Sequence, residues 1–153
     1  NSRNFMKIYF DVCCLNRPFD NHTQDKIRLE SEAILAILDH CQHGKHIFIS
    51  SEVVNFEISK ISDPIKKQKV ILLSSISNTC IIADNNLEKL AMKLEGLNFS
   101  GFDALHIASA EKGKADVLLT TDDNLLRKAL QNKSILKVRV ENPVKWLMGE
   151  IEK

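Results

Sequence analysis

The sequence predicts an α/β protein: three layers, with a central parallel sheet between two layers of helices. Two observations carry this. Short strand-like runs alternate with helical segments along the whole chain, the pattern of βαβ units. The chain also shows no internal repeat and no linker over its 153 residues, and its composition, 44% hydrophobic and 27% charged, is that of a globular domain able to bury a full core.

Each element follows from local signals. Lys7–Phe10 is a strand candidate, ended by Asp11 and a turn-rich stretch from Asn16-Arg17-Pro18 to Asp25. Residues 26–43 place Ile27, Ile34, Ile37, Leu38 and Cys41 at helical spacing, and the pattern stops at Gly44. A strand over His46–Ser50 leads to Ser51, an N-cap for the next helix, and Asp63-Pro64 reads as N-cap and N1 of a helix to Ser74. Cys80–Ala83 is a strand, Asp84 or Asn85 caps a helix to Leu97, and Ser100 caps a very apolar helix over Gly101–Lys112. Asp116–Thr120 is a strand, Asp122 opens a helix to Leu130, Ile135–Val140 is the last strand, and Pro143 starts the last helix.

Charge and cysteines exclude several classes. With 21 basic and 20 acidic residues the formal charge is +1, which speaks against a globally basic nucleic-acid binder and an acidic disordered tail. Gly 5 and Pro 3 exclude collagen-like and low-complexity chains. No run approaches the ~20 apolar residues of a membrane helix. Asn1–Phe5 is polar and not a signal peptide, so Met6 reads as the natural start, with residues 1–5 a remnant or a disordered N-terminus. Cys13, Cys14, Cys41 and Cys80 form no CxxC pair; a disulfide framework or zinc knuckle is not expected, and reduced buried thiols fit a cytoplasmic protein. His40, Cys41, His43 and His46 suggest a metal cluster by proximity, but the expected reading is a solvated helix end before Gly44.

Ligands of parallel α/β folds bind beyond the carboxyl ends of the strands, so acids at those ends are the candidates. Asp11 and Asp122 follow strands directly, Asp103 lies in the first turn of the apolar helix, and Glu57 lies in the helix after the second strand. Bland readings exist: an Asx-turn for Asp11, an N-cap for Asp122, half of a capping box with Ser100 for Asp103. Glu57 is harder to dismiss. On a helical wheel of about 100° per residue, Val53, Val54, Phe56, Ile58 and Ile61 form one face with Glu57 near its centre, while Glu52, Asn55 and Ser59 lie opposite. A carboxylate there needs a cation, either a metal or a basic side chain. Asp103 sits at the dipole-favoured end of its helix, and His106, one turn on, reads as a hydrogen-bonded core histidine. Several acids converging without cysteine or histidine ligands make an oxygen-only site suited to Mg²⁺ or Mn²⁺, and metal-assisted phosphodiester hydrolysis follows as the expected chemistry.

Four segments in order then resemble a known family: Ile8-Tyr9-Phe10-Asp11, Ser50-Ser51-Glu52-Val53-Val54-Asn55-Phe56-Glu57, Asp103-Ala104-Leu105-His106-Ile107-Ala108 and Leu119-Thr120-Thr121-Asp122. The chain resembles PIN-domain ribonucleases, of the type that serves as the toxin in VapBC-like toxin–antitoxin pairs, over residues 6–153. The resemblance implies one PIN-like domain with a three-layer α/β/α fold and a Mg²⁺- or Mn²⁺-dependent endoribonuclease. By position, Asp11, Glu57, Asp103 and Asp122 would form the acidic metal-binding quartet, Thr120 would support them, and Asp123 would be an adjacent spare. Many members carry a small polar residue two positions after the first acid; here that residue is Cys13, and Asn16 is a candidate substitute. The resemblance also implies a cognate antitoxin in the active-site cleft and a homodimer.

Holding RNA at net charge +1 requires a local basic surface. Arg17 is expected at the strand-end rim as an RNA contact; the Lys60, Lys66, Lys67 and Lys69 group and the Arg127-Lys128 pair are further candidates. Two other readings stay open: a catalytically degenerate PIN-like module that binds RNA or protein, and a phospho-acceptor receiver domain, which lacks here the acidic cluster expected after its first strand. A P-loop enzyme is excluded by the absence of GxxxxGK[ST].

Overall fold

The structure, a computed structural model, describes residues 5–153. The expectation for residues 1–5 therefore falls, save for Phe5, outside the described residues. In chain order the elements are β1 (Lys7–Phe10), α1 (Val12–Asn16), a 3₁₀ turn (Arg17–Phe19), α2 (Asp25–Gln42), β2 (Ile47–Ser51), α3 (Glu52–Ser59), α4 (Pro64–Ser74), β3 (Thr79–Ile81), α5 (Asn85–Glu95), α6 (Gly101–Lys112), β4 (Val117–Leu119), α7 (Asp123–Gln131), β5 (Arg139–Glu141) and α8 (Pro143–Ile151).

All strand pairs are parallel, in the order β3-β2-β1-β4-β5, with Ile8 opposite both Phe48 and Val117. The predicted three-layer α/β arrangement is therefore present. The central strands are apolar because both faces are covered: Ile8, Tyr9, Phe10, Leu118 and Leu119 are each 0% exposed. From β1 the chain moves outward in one direction through β2 and β3, then returns to the other side of β1 as β4. The gap between β1 and β4 is thus a topological switch point, where a crevice opens at the strand ends.

Helix starts follow the caps predicted at Ser51, Asp63, Asp84, Ser100 and Asp122, and Asn142 adds one before the predicted start at Pro143. Ser51, Asp63, Asp84, Ser100, Asp122 and Asn142 each accept a first-turn backbone N–H. Helix α2 ends in a Schellman motif: Lys45 N–H donates to His40 O (2.9 Å), Gly44 N–H donates to Cys41 O (3.1 Å), and Gly44 takes φ +79°. His40, Cys41, His43 and His46 accordingly serve a helix end and form no metal-binding group among the described residues; His43 pairs with Asp39, and His46 accepts the Met6 N–H.

Three expectations shift. Val12–Asn16 coils into a helix directly after Asp11, whose carboxylate caps it. Strand β5 covers only Arg139–Glu141, because Ile135 and Leu136 N–H groups turn back to Asn132 O. Strand β3 ends at Ile81, since Asp84 N–H donates to Ile82 O in a turn. The four cysteines are free, but Cys80 is exposed rather than buried.

One polar network braces the helices. Glu30, 1% exposed on α2, lies 3.1 Å from Arg17 Nε and accepts from Asn142 Nδ2 (2.7 Å). The Arg17 contact is an ion pair whose angle is too poor for a hydrogen bond. Arg17 also reaches Asp20 at 3.2 Å, so its guanidinium is spent inside the fold. Removing one partner of a buried pair strands the other charge, at about 3 kcal/mol or more. Arg17→Met is therefore expected to lower unfolding free energy in urea by about 3 kcal/mol, against under about 1 kcal/mol for Lys26→Met, whose side chain is 53% exposed and 3.9 Å from Glu30. Equal losses would show that Glu30 does not depend on Arg17.

Candidate metal centre

At the end of β1 the chain turns into α1, and Asp11 occupies the turn, 7% exposed. Its Oδ1 accepts from Val12 N–H (2.8 Å) and its Oδ2 from Thr120 Oγ1 (2.8 Å) and Cys13 Sγ (3.3 Å). Thr120 Oγ1 in turn accepts from Asp122 N–H (3.1 Å), and Cys13 Sγ accepts from Thr121 N–H (3.3 Å). The ends of β1 and β4 are thus laced together across the switch point, with Thr120 in the supporting position. Cys13, the departure from the family pattern, touches both Asp11 and Thr120. Asn16 Oδ1 is buried without a hydrogen-bond partner.

Glu57 points from α3 toward α6, where His106 Nε2 meets its Oε1 in a short contact. The side chain of Glu57 is 29% exposed, so it lines an opening rather than the core. The wheel placed Phe56 on the buried face; Phe56 is instead 50% exposed, stacked on Phe102 with Lys60 above its ring. Helix α3 is only eight residues long and wedged between α4 and α6, so its inward stripe narrows to Val53, Val54 and Ile58. Glu52, on the opposite side, accepts from Ala83 N–H (2.7 Å) and ties α3 to the end of β3.

His106 changes the character of the site. It is 1% exposed, and its Nδ1 is 2.7 Å from Tyr9 OH, which is 2.7 Å from Ser51 Oγ. It is the hydrogen-bonded core histidine the sequence predicts. It also belongs to the site, with Nε2 3.6 Å from Asp11 Oδ1. The expectation of an oxygen-only cluster is corrected on this point, because Asp11, Glu57 and His106 each offer a ligand atom within 4.8 Å of the others. Donors at that separation can share one cation, so the cluster can hold a metal ion. Burial works against charge on His106, but the Glu57 hydrogen bond and the carboxylates of Asp11, Glu57 and Asp103 outweigh it and hold the imidazole above its ordinary value. The i, i+3 spacing of Asp103 and His106 was the signal available in the sequence.

The remaining acids sit around this group. Asp103 is half-buried at the start of α6. Burial, then the negative charges of Asp11 and Asp122, raise its carboxyl above the usual range, while the Ser100 and His106 interactions pull it down. Asp103 therefore feels the field of both Asp11 and Asp122. Asp122 is exposed, and its Oδ1 caps α7 through Asn124 N–H (2.9 Å) and Leu125 N–H (3.3 Å). Asp123 pairs with Lys26 at 3.2 Å. Burial also pushes the Tyr9 phenol far up, keeping it a neutral hydrogen-bonding group.

No protein-family model matches the chain, and no curated protein matches it in sequence. Solved structures do match in fold. FitAcB from Neisseria gonorrhoeae is similar at TM-score 0.59 and 14% identity, over 89% of this chain and 97% of that one. VapBC2 from Rickettsia felis, solved bound to a DNA fragment from its promoter, is similar at TM-score 0.58 and 16% identity, over 90% and 98%. PAE2754 from Pyrobaculum aerophilum is similar at TM-score 0.56 and 14% identity, over 97% and 91%. At these identities the likeness is one of fold, a three-layer α/β/α architecture around a parallel sheet.

Two measurements test the cluster. Glu57→Gln is expected to weaken Mn²⁺ binding in calorimetry by tenfold or more, while Glu52→Gln leaves it unchanged; the reverse order would displace the centre. Asp103 binds its proton more tightly folded than unfolded, so its contribution to stability is complete below the unfolded value of 3.8 and is lost as pH rises through the raised folded value. Asp103→Asn should therefore raise the melting temperature of metal-free protein at pH 7, and the gain should vanish near pH 3. A gain independent of pH would point to packing instead.

Proposed function

We propose that this chain is a metal-dependent endoribonuclease that hydrolyses RNA phosphodiester bonds, acting as the toxin of a toxin–antitoxin pair. The observation that carries the reading is the convergence of Asp11, Glu57 and His106 at the switch point, within 4.8 Å of one another. The PIN-like fold supports it, since fold likeness extends across nearly the whole of the matched chain in the FitAcB and VapBC2 structures. On this reading residues 6–153 form one PIN-like domain, the compartment is the cytoplasm, and the partners are RNA, a cognate antitoxin and a second copy of the chain. No described helix is long and apolar enough to cross a membrane.

The donor set fits a divalent cation. Asp11 and Glu57 supply hard oxygen, Asp103 and Asp122 add carboxylates whose fields overlap, and His106 adds a nitrogen that Mn²⁺ accepts more readily than Mg²⁺. Such a cation, when bound, acidifies a coordinated water and offsets charge on the phosphate. The chain's own residues prepare the place. Thr120 and Cys13 hold Asp11 Oδ2, and Val12 N–H holds Oδ1, so the carboxylate cannot swing away. His106, with its raised affinity for a proton, is placed to offset part of the negative charge of Glu57 and Asp11 when protonated. Asp103 holds its proton to a higher pH than an ordinary carboxylate and ionises more readily once positive charge is near. Asp122 stands at the exposed rim, its first oxygen fixed by the helix it caps.

Purified protein incubated with labelled RNA is expected to cleave it only with Mn²⁺ or Mg²⁺, to stop on chelation, and to lose at least a hundredfold in rate as Asp11→Asn. Cleavage persisting in that variant would locate the activity elsewhere. Intact RNA under every metal, with no divalent-ion binding by calorimetry, would make the chain a non-catalytic module.

A further inference from the structure

A groove of about 850 Å³ lies between α7 and the edge strand β5. Arg127, Lys133, Lys137, Arg139 and Lys145 line it. The one acid in the lining, Glu141, is paired with Arg139 at 3.1 Å. Among the described residues no carboxylate reaches ion-pair distance of Arg127, Lys133, Lys137 or Lys145; Arg127 donates to the neutral Asn124 amide, and Glu111 nearby accepts the backbone N–H of Lys137. Four unneutralised cations in one groove are a strong local departure for a chain of net charge +1.

The groove's β5 wall is tied by one backbone bond to the strand end that supports the metal cluster. Glu141 O accepts from the N–H of Thr120 (3.0 Å), the residue that holds Asp11, and α7, which carries Arg127, is capped by Asp122. No aromatic residue lines it, so it offers no stacking platform for bases. Its floor is aliphatic, from residues such as Leu126, Val138 and Val140. Cations spaced along an aliphatic trough can meet successive phosphates and cover ribose faces without reading bases.

We propose that this groove carries the phosphate backbone of the single-stranded RNA flanking the scissile bond, with Arg127, Lys133, Lys137 and Lys145 as sequence-independent phosphate contacts. The proposal rests on the ribonuclease reading and gives it a substrate path. Its grip comes from release of counterions, so it weakens steeply with salt, by about 0.7 in the logarithmic slope per contact on a single strand. An acidic protein segment could also suit an aliphatic trough rimmed by cations. The tie between Thr120 and Glu141, and the start of α7 at Asp122, favour the nucleic acid.

The test uses a fluorescent twelve-nucleotide oligouridylate in chelator, with Asp11→Asn as the parent so that nothing is cut. Affinity is followed from roughly 50 to 200 mM KCl. The Lys133→Gln, Lys137→Gln double variant should bind about tenfold more weakly near 100 mM salt and flatten the slope by about 1.4. Lys89→Gln, Lys93→Gln on α5 removes the same charge from exposed positions elsewhere and should change neither. If both double variants behave alike while the parent binds, the RNA takes another path and the ribonuclease reading stands. If the parent fails to bind RNA at the lowest salt while wild type also fails to cleave, both fail together. Resonances of the groove shifted by an acidic leucine-containing peptide, with RNA affinity unmoved by the groove variants, would assign the groove to a protein partner and overturn the proposal.

Discussion

Carboxylates gathered at the ends of buried strands repel one another, and the rest of this structure is arranged around supplying them with a counter-charge. His106 is the side chain placed to carry it, its imidazole held above its ordinary value by the Glu57 hydrogen bond and the nearby carboxylates against the cost of burial. It sits 1% exposed on α6, against Glu57 and 3.6 Å from Asp11, where a neutral side chain would leave two partly desolvated anions facing each other. A histidine suits the position because it can give up its proton to a competing cation, which a lysine or arginine would resist.

The same residue sets the register of two helices. Ser51 caps α3 by accepting from Val54 N–H (3.1 Å), and Tyr9 OH bridges Ser51 Oγ to His106 Nδ1. Helix α3 is thereby held at its start through Tyr9 and at its middle through Glu57, with both ties converging on one imidazole of α6. The cap, the central strand and the acid cannot move independently. A short helix, which would be marginal alone, becomes a rigid carrier for its carboxylate.

Most of the scaffold was legible in the sequence because it rests on local rules. Caps at Ser51, Asp63, Ser100 and Asp122 and the stop at Gly44 depend on side chains within a few residues, and the alternation of strands and helices implied the parallel sheet. Asp11, Asp103 and Asp122 were legible because each follows a strand or opens a helix, and Glu57 because it falls among apolar residues on the wheel of α3. What escaped depended on distant partners. Arg17 read as a rim cation, but its partner Glu30 lies a helix away; Phe56 read as core, but α3 is too short and too flanked to bury it. His106 was placed correctly in the core, yet its part in the cluster needed the approach of Glu57, 49 residues earlier. The fixing of Asp11 by Cys13 and Thr120 needed two strand ends to meet.

That meeting has a kinetic side. The hydrogen bond from Thr120 to Asp11 spans 109 residues, and β4 lies on the opposite side of β1 from β2 and β3, which both precede it in the chain. Contacts of such long range are slow to close, and during synthesis Asp11 emerges more than a hundred residues ahead of the strand that orients it. A ribosome-bound chain therefore exposes the first acid long before any competent centre exists. Any chemistry that needs the assembled cluster is withheld by topology until β4 has emerged.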